Sequence, residues 1–288
     1  MTRQAIVDNE SLMQIIDCEK PYQLVKARHG WFLANPQDFY IGWAVLMYGE
    51  YCEIEWQLLE QLLREGKDAV EFGANIGTHT VPMARKLASM GRRLLAVEPQ
   101  CVVFQNLCAN VALNALFNVI AVNAASSDAS GWLTFSAPDY LKQGNFGGVS
   151  MREDGEGNQR VRAVRLDELA TEDFDVGLIK IDVEGFEQKV LEGATRTIAR
   201  CRPFIYLEND RLDRSKALIE WLWAANYRLW WHLPMLFNSE NFAGNSENIY
   251  ENVVSFNMLA IPKELPTNLS GLIPVENSDF HPLNPRHA

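Results

Sequence analysis

The chain lacks what would take it to a bilayer, to nucleic acid or to an oxidising compartment. Its longest apolar run, Phe39 to Tyr48, falls far short of the roughly 20 residues that span a membrane. Met1 to Cys18 carries charges throughout, so no basic-then-apolar leader is expected, and a cytoplasmic protein with no membrane span is. Cysteine is sparse: Cys18, Cys52, Cys101, Cys108 and Cys201 are odd in number, scattered, and form no C-x-x-C pair. Reduced, buried thiols are expected rather than disulfides. Positive charge is in deficit, with a formal net charge of −11, which argues against a nucleic-acid backbone as main partner and favours a small or neutral glycan-like acceptor. Internal repeats and coiled-coil heptads are absent. What remains, 288 residues that are 48% hydrophobic, is ample for one large α/β domain with a small appendage.

The organising stretch is Asp68 to Thr80. Asp68 to Phe72 reads as a short buried strand, Gly73 to Gly77 as a tight turn, and Thr78 to Ser89 as a helix with Val81, Ala84, Leu87 and Ala88 inward. Such a junction leaves backbone N–H groups free at the helix start, and glycine lets a ligand approach the main chain. A dinucleotide fold needs G-x-G-x-x-G for its pyrophosphate. Here Gly73, Asn75 and Gly77 spell G-x-N-x-G, preceded by Glu71. That carboxylate would repel a pyrophosphate and suits a ligand with an amine and a sulfonium, S-adenosylmethionine. An NAD-dependent oxidoreductase is the least favoured class. Arg93 to Val97 reads as the next strand and ends in Glu98, placed to accept both ribose hydroxyls.

Strands near 68–72, 93–97, 118–123, 131–136, 160–164, 177–182, 203–208 and 253–260 alternate with helices near 78–90, 101–114, 167–170, 186–199 and 213–225. Alternation predicts a doubly wound, mostly parallel sheet with ligands at the carboxyl ends of its strands. Residues 1–67 form an N-terminal cap with a helix over Glu53 to Arg64, 68–262 the nucleotide fold, and 263–288 a proline-punctuated tail, including Pro285, that wraps the surface or is partly disordered. Lys180, Asp182 and Glu184 come near one strand end, with Asp182 beside the cofactor's methionine end and the acceptor hydroxyl, and Lys180 better read as a structural ion pair. Asp182, Glu208 and Asn209 offer hard oxygen ligands that suit Mg²⁺, or serve as bases and hydrogen-bond acceptors without metal. Residues 138–159, rich in Gly, Asn and Asp, are a lid or a disordered loop. Trp230 and Trp231 offer flat faces for sugar, and His232 is either a general base or a hydrogen-bonded structural histidine.

Five segments resemble the FkbM family of S-adenosylmethionine-dependent methyltransferases: Val70 to Thr80, Ala96 to Gln100, Asn106 to Asn114, Ala124 to Asp128 and Ile179 to Glu187. They lie within about residues 30 to 262, and the last is the most specific. Glu71 stands where the family more often has Asp. The resemblance implies a Rossmann-like class I methyltransferase with a seven-stranded sheet, and hydroxyl acceptors in sugars, polyketides and surface glycans, hence O-methylation. An Asn-Pro-Pro-Tyr motif, which N-methylation would favour after the fourth strand, is missing. It also implies that the N-terminal region caps the substrate side, so Phe39, Tyr40, Trp43 and Tyr48 line a sugar-binding surface or else belong to the core. Ser127 or Asp128 meets the adenine or makes a simple Asx turn. The metal arrangement would resemble that of catechol-type O-methyltransferases. The alternative function is a non-catalytic glycan-binding or assembly module that keeps the fold, and a homodimer is a further expectation.

Overall fold

The computed structural model describes residues 14–17, 21–267 and 269–284. Cys18, Pro285 and most of the segment read for a leader lie outside them. Three antiparallel strands come first, β1 (Gln14–Asp17), β2 (Gln23–Ala27) and β3 (Gly30–Ala34), followed by α1 (Ile41–Tyr48) and α2 (Glu53–Leu62). Then strands and helices alternate: β4 (Asp68–Phe72), α3 (Thr80–Ser89), β5 (Leu94–Val97), α4 (Cys101–Leu113) and β6 (Val119–Val122). A separate three-stranded sheet is made by β7 (Ala125–Ser126), β8 (Gly131–Phe135) and β9 (Gln159–Val164). The main sheet resumes after α5 (Leu166–Leu169) with β10 (Val176–Ile181), α6 (Glu187–Glu192), α7 (Thr195–Cys201), β11 (Phe204–Glu208) and α8 (Leu212–Ala224). It ends with β12 (Tyr227–His232), β13 (Asn257–Pro262) and β14 (Ile273–Pro274).

The order across the main sheet is β14-β12-β13-β11-β10-β4-β5-β6. The five strands from β6 to β11 are parallel, and β13 runs antiparallel to both its neighbours. Seven strands were expected, and the two-residue edge strand β14 makes eight. Helices cover both faces. Val70 and Phe72 of β4 meet Val190, Ile198 and Leu222 on one face, while Ala69 meets Leu59, Val81 and Leu87 on the other. Each Val, Leu, Ile or Phe side chain so withdrawn from water contributes roughly 1.5–3 kcal/mol.

Three expectations are corrected here. The helix near 186–199 is broken, because a Cβ on Gly193 would stand 2.0 Å from the carbonyl oxygen of Ser127, and the chain turns there to let that segment pass. The strands near 131–136 and 160–164 leave the main sheet, since Leu133, Phe135, Val161 and Ala163 bury against Met151 and Phe186 in a core of their own. Tyr227 to His232 is an inner strand of the main sheet, and Trp231, 1% exposed, packs in its core rather than offering a face to sugar. Among the described residues all cysteines are free thiols, and no helix is long and apolar enough to cross a membrane.

Candidate active site

Because β4, β5, β6, β10 and β11 are parallel, their carboxyl ends share one edge, and a cavity of about 360 Å³ opens there. Gly73 follows β4, Glu98 follows β5, Asp182 and Glu184 follow β10, and Glu208 ends β11; all border it. Ala124 to Ser126 form one wall and Asn145, Gly147 and Gly148 another. Tyr40, Tyr51 and Glu55 from the N-terminal region close a third side.

The turn after β4 is built by left-handed backbone at Gly73 (φ 74°), Asn75 (φ 49°) and Gly77 (φ 91°). Asn is among the few side chains that adopt this conformation readily. The Glu98 carboxylate is anchored twice: Oε2 accepts the N–H of Asn75 at 2.9 Å and Oε1 that of Gln100 at 2.9 Å. Each oxygen keeps lone-pair capacity for a further donor. Burial raises the Glu98 pKa to about 7, although both N–H donors pull it down.

A buried ion cluster lies beneath the cavity. Register along β4, β10 and β11 sets Glu71, Lys180 and Tyr206 side by side. Lys180 Nζ is 3.3 Å from Asp182 Oδ2, 3.9 Å from Glu55 Oε1 and 4.0 Å from Glu71 Oε1. Burial opposes its charge, but these carboxylates outweigh burial and hold its pKa above the usual value. One cation cannot offset three acids, so burial still lifts Glu55 and Glu71 to about 7. Glu71 Oε2 also accepts the Thr80 hydroxyl at 2.6 Å, which ties the end of β4 to the first residue of α3.

Of the residues singled out from sequence, Gly73, Asn75, Glu98, Asp182 and Glu208 border the cavity, whereas Glu71, Gly77, Ser127, Asp128, Asn209 and His232 do not. Glu71 is held in the ion cluster. Ser126, the last residue of β7, borders the cavity instead of Ser127, whose hydroxyl donates to Asp128 Oδ1 at 2.9 Å. Asn209 points away: its Nδ2 donates to Ser215 Oγ at 2.9 Å and to Met258 Sδ at 3.4 Å. The oxygen set that does assemble is Asp182, Glu184 and Glu208, within 4.8 Å of one another. His232 Nδ1 shares a hydrogen bond with the Tyr206 hydroxyl at 2.8 Å, and burial lowers its pKa to about 4. Tyr40 alone of the four N-terminal aromatics reaches the cavity; Tyr48 is buried, and Phe39 packs on Trp43 with ring centroids 4.9 Å apart. The 138–159 loop lies against the cavity, pinned by Gln100 Nε2 donating to the Phe146 carbonyl at 2.7 Å.

Sequence reasoning missed Glu55, Ser126 and Asp210. Glu55 had a legible signal, since it stands four and seven residues before Leu59 and Leu62, an acid on the buried stripe of α2. Ser126 has 5% exposure and a hydroxyl without a protein partner among the described residues, and only the register of β7 distinguishes it from Ser127.

A parallel sheet whose last inner strand runs antiparallel, with a glycine turn after the central strand and acids at the next strand ends, defines a Rossmann-like class I methyltransferase fold. The family model for the methyltransferase FkbM domain matches residues 71–229, more than half of the chain, and the protein belongs to that family. Comparison with curated protein sequences returns no match. Among solved structures, the methyltransferase FkbM from Methylobacillus flagellatus KT is 15% identical with a TM-score of 0.44; the match covers 69% of this chain and 45% of that one. A precorrin-6y C5,15-methyltransferase from Geobacter metallireducens GS-15 is 15% identical over 72% of this chain and 87% of its own, with a TM-score of 0.46. TYW2 of M. jannaschii, in complex with AdoMet, is 12% identical over 86% and 88%, with a TM-score of 0.45.

Proposed function

We propose that the protein is an S-adenosylmethionine-dependent O-methyltransferase acting on a hydroxyl of a sugar, glycan or related natural product. The observation that carries this is the joint placement of Glu98 and Asp182 in one cavity, with the Gly73–Gly77 turn on the strand between theirs. The residues fit such a cofactor. Glu98 is fixed with lone pairs to spare for ribose hydroxyls, Ser126 Oγ is a buried polar atom wanting a partner, and Val97, Pro99 and Ala124 supply apolar wall.

When bound, S-adenosylmethionine supplies a methyl group on a sulfonium, which is already a good leaving group. The chain then has to align the acceptor oxygen, exclude water and take up the hydroxyl proton. Asp182 Oδ is placed for the last, with Lys180 holding the carboxylate in position at 3.3 Å. Tyr40, Tyr51 and Glu55 cap the acceptor side. Mg²⁺ would draw on Asp182, Glu184 and Glu208, and of these Glu184 is also paired with Arg211 at 2.6 Å.

Calorimetric titration with S-adenosylhomocysteine, with NAD in parallel, tests the cofactor assignment. Micromolar binding of S-adenosylhomocysteine alone supports it, and no binding sinks it.

A further inference from the structure

The cavity has a second half beyond Asp182, and its chemistry is one-sided. Glu55, Asp182, Glu184, Glu208 and Asp210 all border the cavity, and among the described residues no Lys, Arg or His lines it. Among the described residues the cations within ion-pair reach of these five are Lys180 and Arg211, both approaching from outside the lining, while burial lowers the pKa of His79, 3.9 Å from Glu55, well below its usual value. Glu208 is the acid left over: its Oε2 is shielded from solvent and has no partner among the described residues. Tyr40, Tyr51 and Phe256 also border the cavity, and aromatic ring faces attract cations.

We propose that the acceptor carries a protonated amine beside its reacting hydroxyl, seated between Glu184 and Glu208. This rests on the methyltransferase reading above. Gly73 and Glu98 place a cofactor across β4 and β5, so Asp182 on the adjacent β10 is the nearer acid for the cofactor's own ammonium, while Glu208 ends β11, one strand further along the sheet. Anionic acceptors, such as uronates and phosphorylated sugars, are disfavoured by the same carboxylates.

The test uses the full chain saturated with S-adenosylhomocysteine and three matched sugars, D-glucosamine, N-acetyl-D-glucosamine and D-glucuronate, titrated by ligand-observed NMR. Glucosamine is expected to bind at least tenfold more tightly than the other two. Glu208→Gln should erase that preference while leaving S-adenosylhomocysteine affinity unchanged, with Glu184→Gln as a second variant should the first not fold. Equal binding of the three sugars, binding of none, or an unaltered preference in both variants overturns the proposal. So does Mg²⁺ displacing glucosamine at stoichiometric amounts, which assigns the three carboxylates to a metal. Failure to bind S-adenosylhomocysteine is read separately, because it removes the cofactor assignment itself.

Discussion

A side chain at Gly73 would place its Cβ 1.7 Å from the carbonyl oxygen of Asp182. The close approach follows from the ladder between β4 and β10, whose last bond runs from the Asp182 N–H to the Phe72 carbonyl at 3.1 Å. The glycine turn and the candidate catalytic acid are therefore one structural unit, and a change at either displaces the other.

Gly73→Ala should destabilise the fold by on the order of 1–3 kcal/mol, because the new residue must also hold a φ of 74°. Thermal unfolding reads the loss, and S-adenosylhomocysteine binding should fall with it. A variant of unchanged melting temperature would show that β10 can move aside.

Lys180→Met removes the cation from a cluster in which Glu55, Glu71 and Asp182 face it. Breaking a buried pair from one side costs about 3–5 kcal/mol. Urea unfolding should show a larger loss at pH 8 than at pH 5, since protonation relieves the abandoned carboxylates. Equal losses would mean that the lysine acts by packing alone.

Folding stability of the wild-type chain should decline as pH rises from about 5 to about 7 and level off beyond. Glu55, Glu71 and Glu98 keep their protons to about pH 7 when folded and release them near 4.5 when unfolded. Between those values the folded state binds more protons, so the slope of stability with pH is negative. Denaturant titrations across that window check the sign.

Glu98→Ala should weaken S-adenosylmethionine binding by roughly 1–3 kcal/mol, through loss of charge-assisted hydrogen bonds. Isothermal titration measures it, and an unchanged affinity would refute the ribose role.

Asp182→Asn should lower turnover by roughly 10²–10⁴-fold, the usual worth of a positioned base, with cofactor affinity retained. His232→Ala should leave turnover within about threefold, because its ring is hydrogen-bonded to Tyr206 and does not border the cavity. A collapse of activity in the histidine variant with the fold intact would return His232 to the site.

The β4 strand, its glycine turn and the helix after it were legible because each is a local signal: a run of buried residues, left-handed positions occupied by Gly and Asn, and an apolar stripe at helical spacing. The same holds for Glu98, which follows its strand directly. Strand β12 was not legible, because Tyr227, Leu229 and Trp231 alternate with residues half-buried by neighbouring strands. Aromatics look alike in a core and on a binding face until the partner strands are known.

By itself the sequence determined the alternation of strands and helices, the family, and the strand ends at which ligand-facing acids arise. Tertiary structure alone decided which acids face the cavity. Glu71 and Glu98 both stand at strand ends, yet Glu71 turns into the cluster around Lys180 while Glu98 is held at the cavity by two backbone N–H groups. Glu184 enters where Asn209 was expected, and Glu55 arrives from a helix far away in sequence. The reason is that a side chain's direction depends on strand register and on which element covers that face, and both are set by pairings between residues distant along the chain.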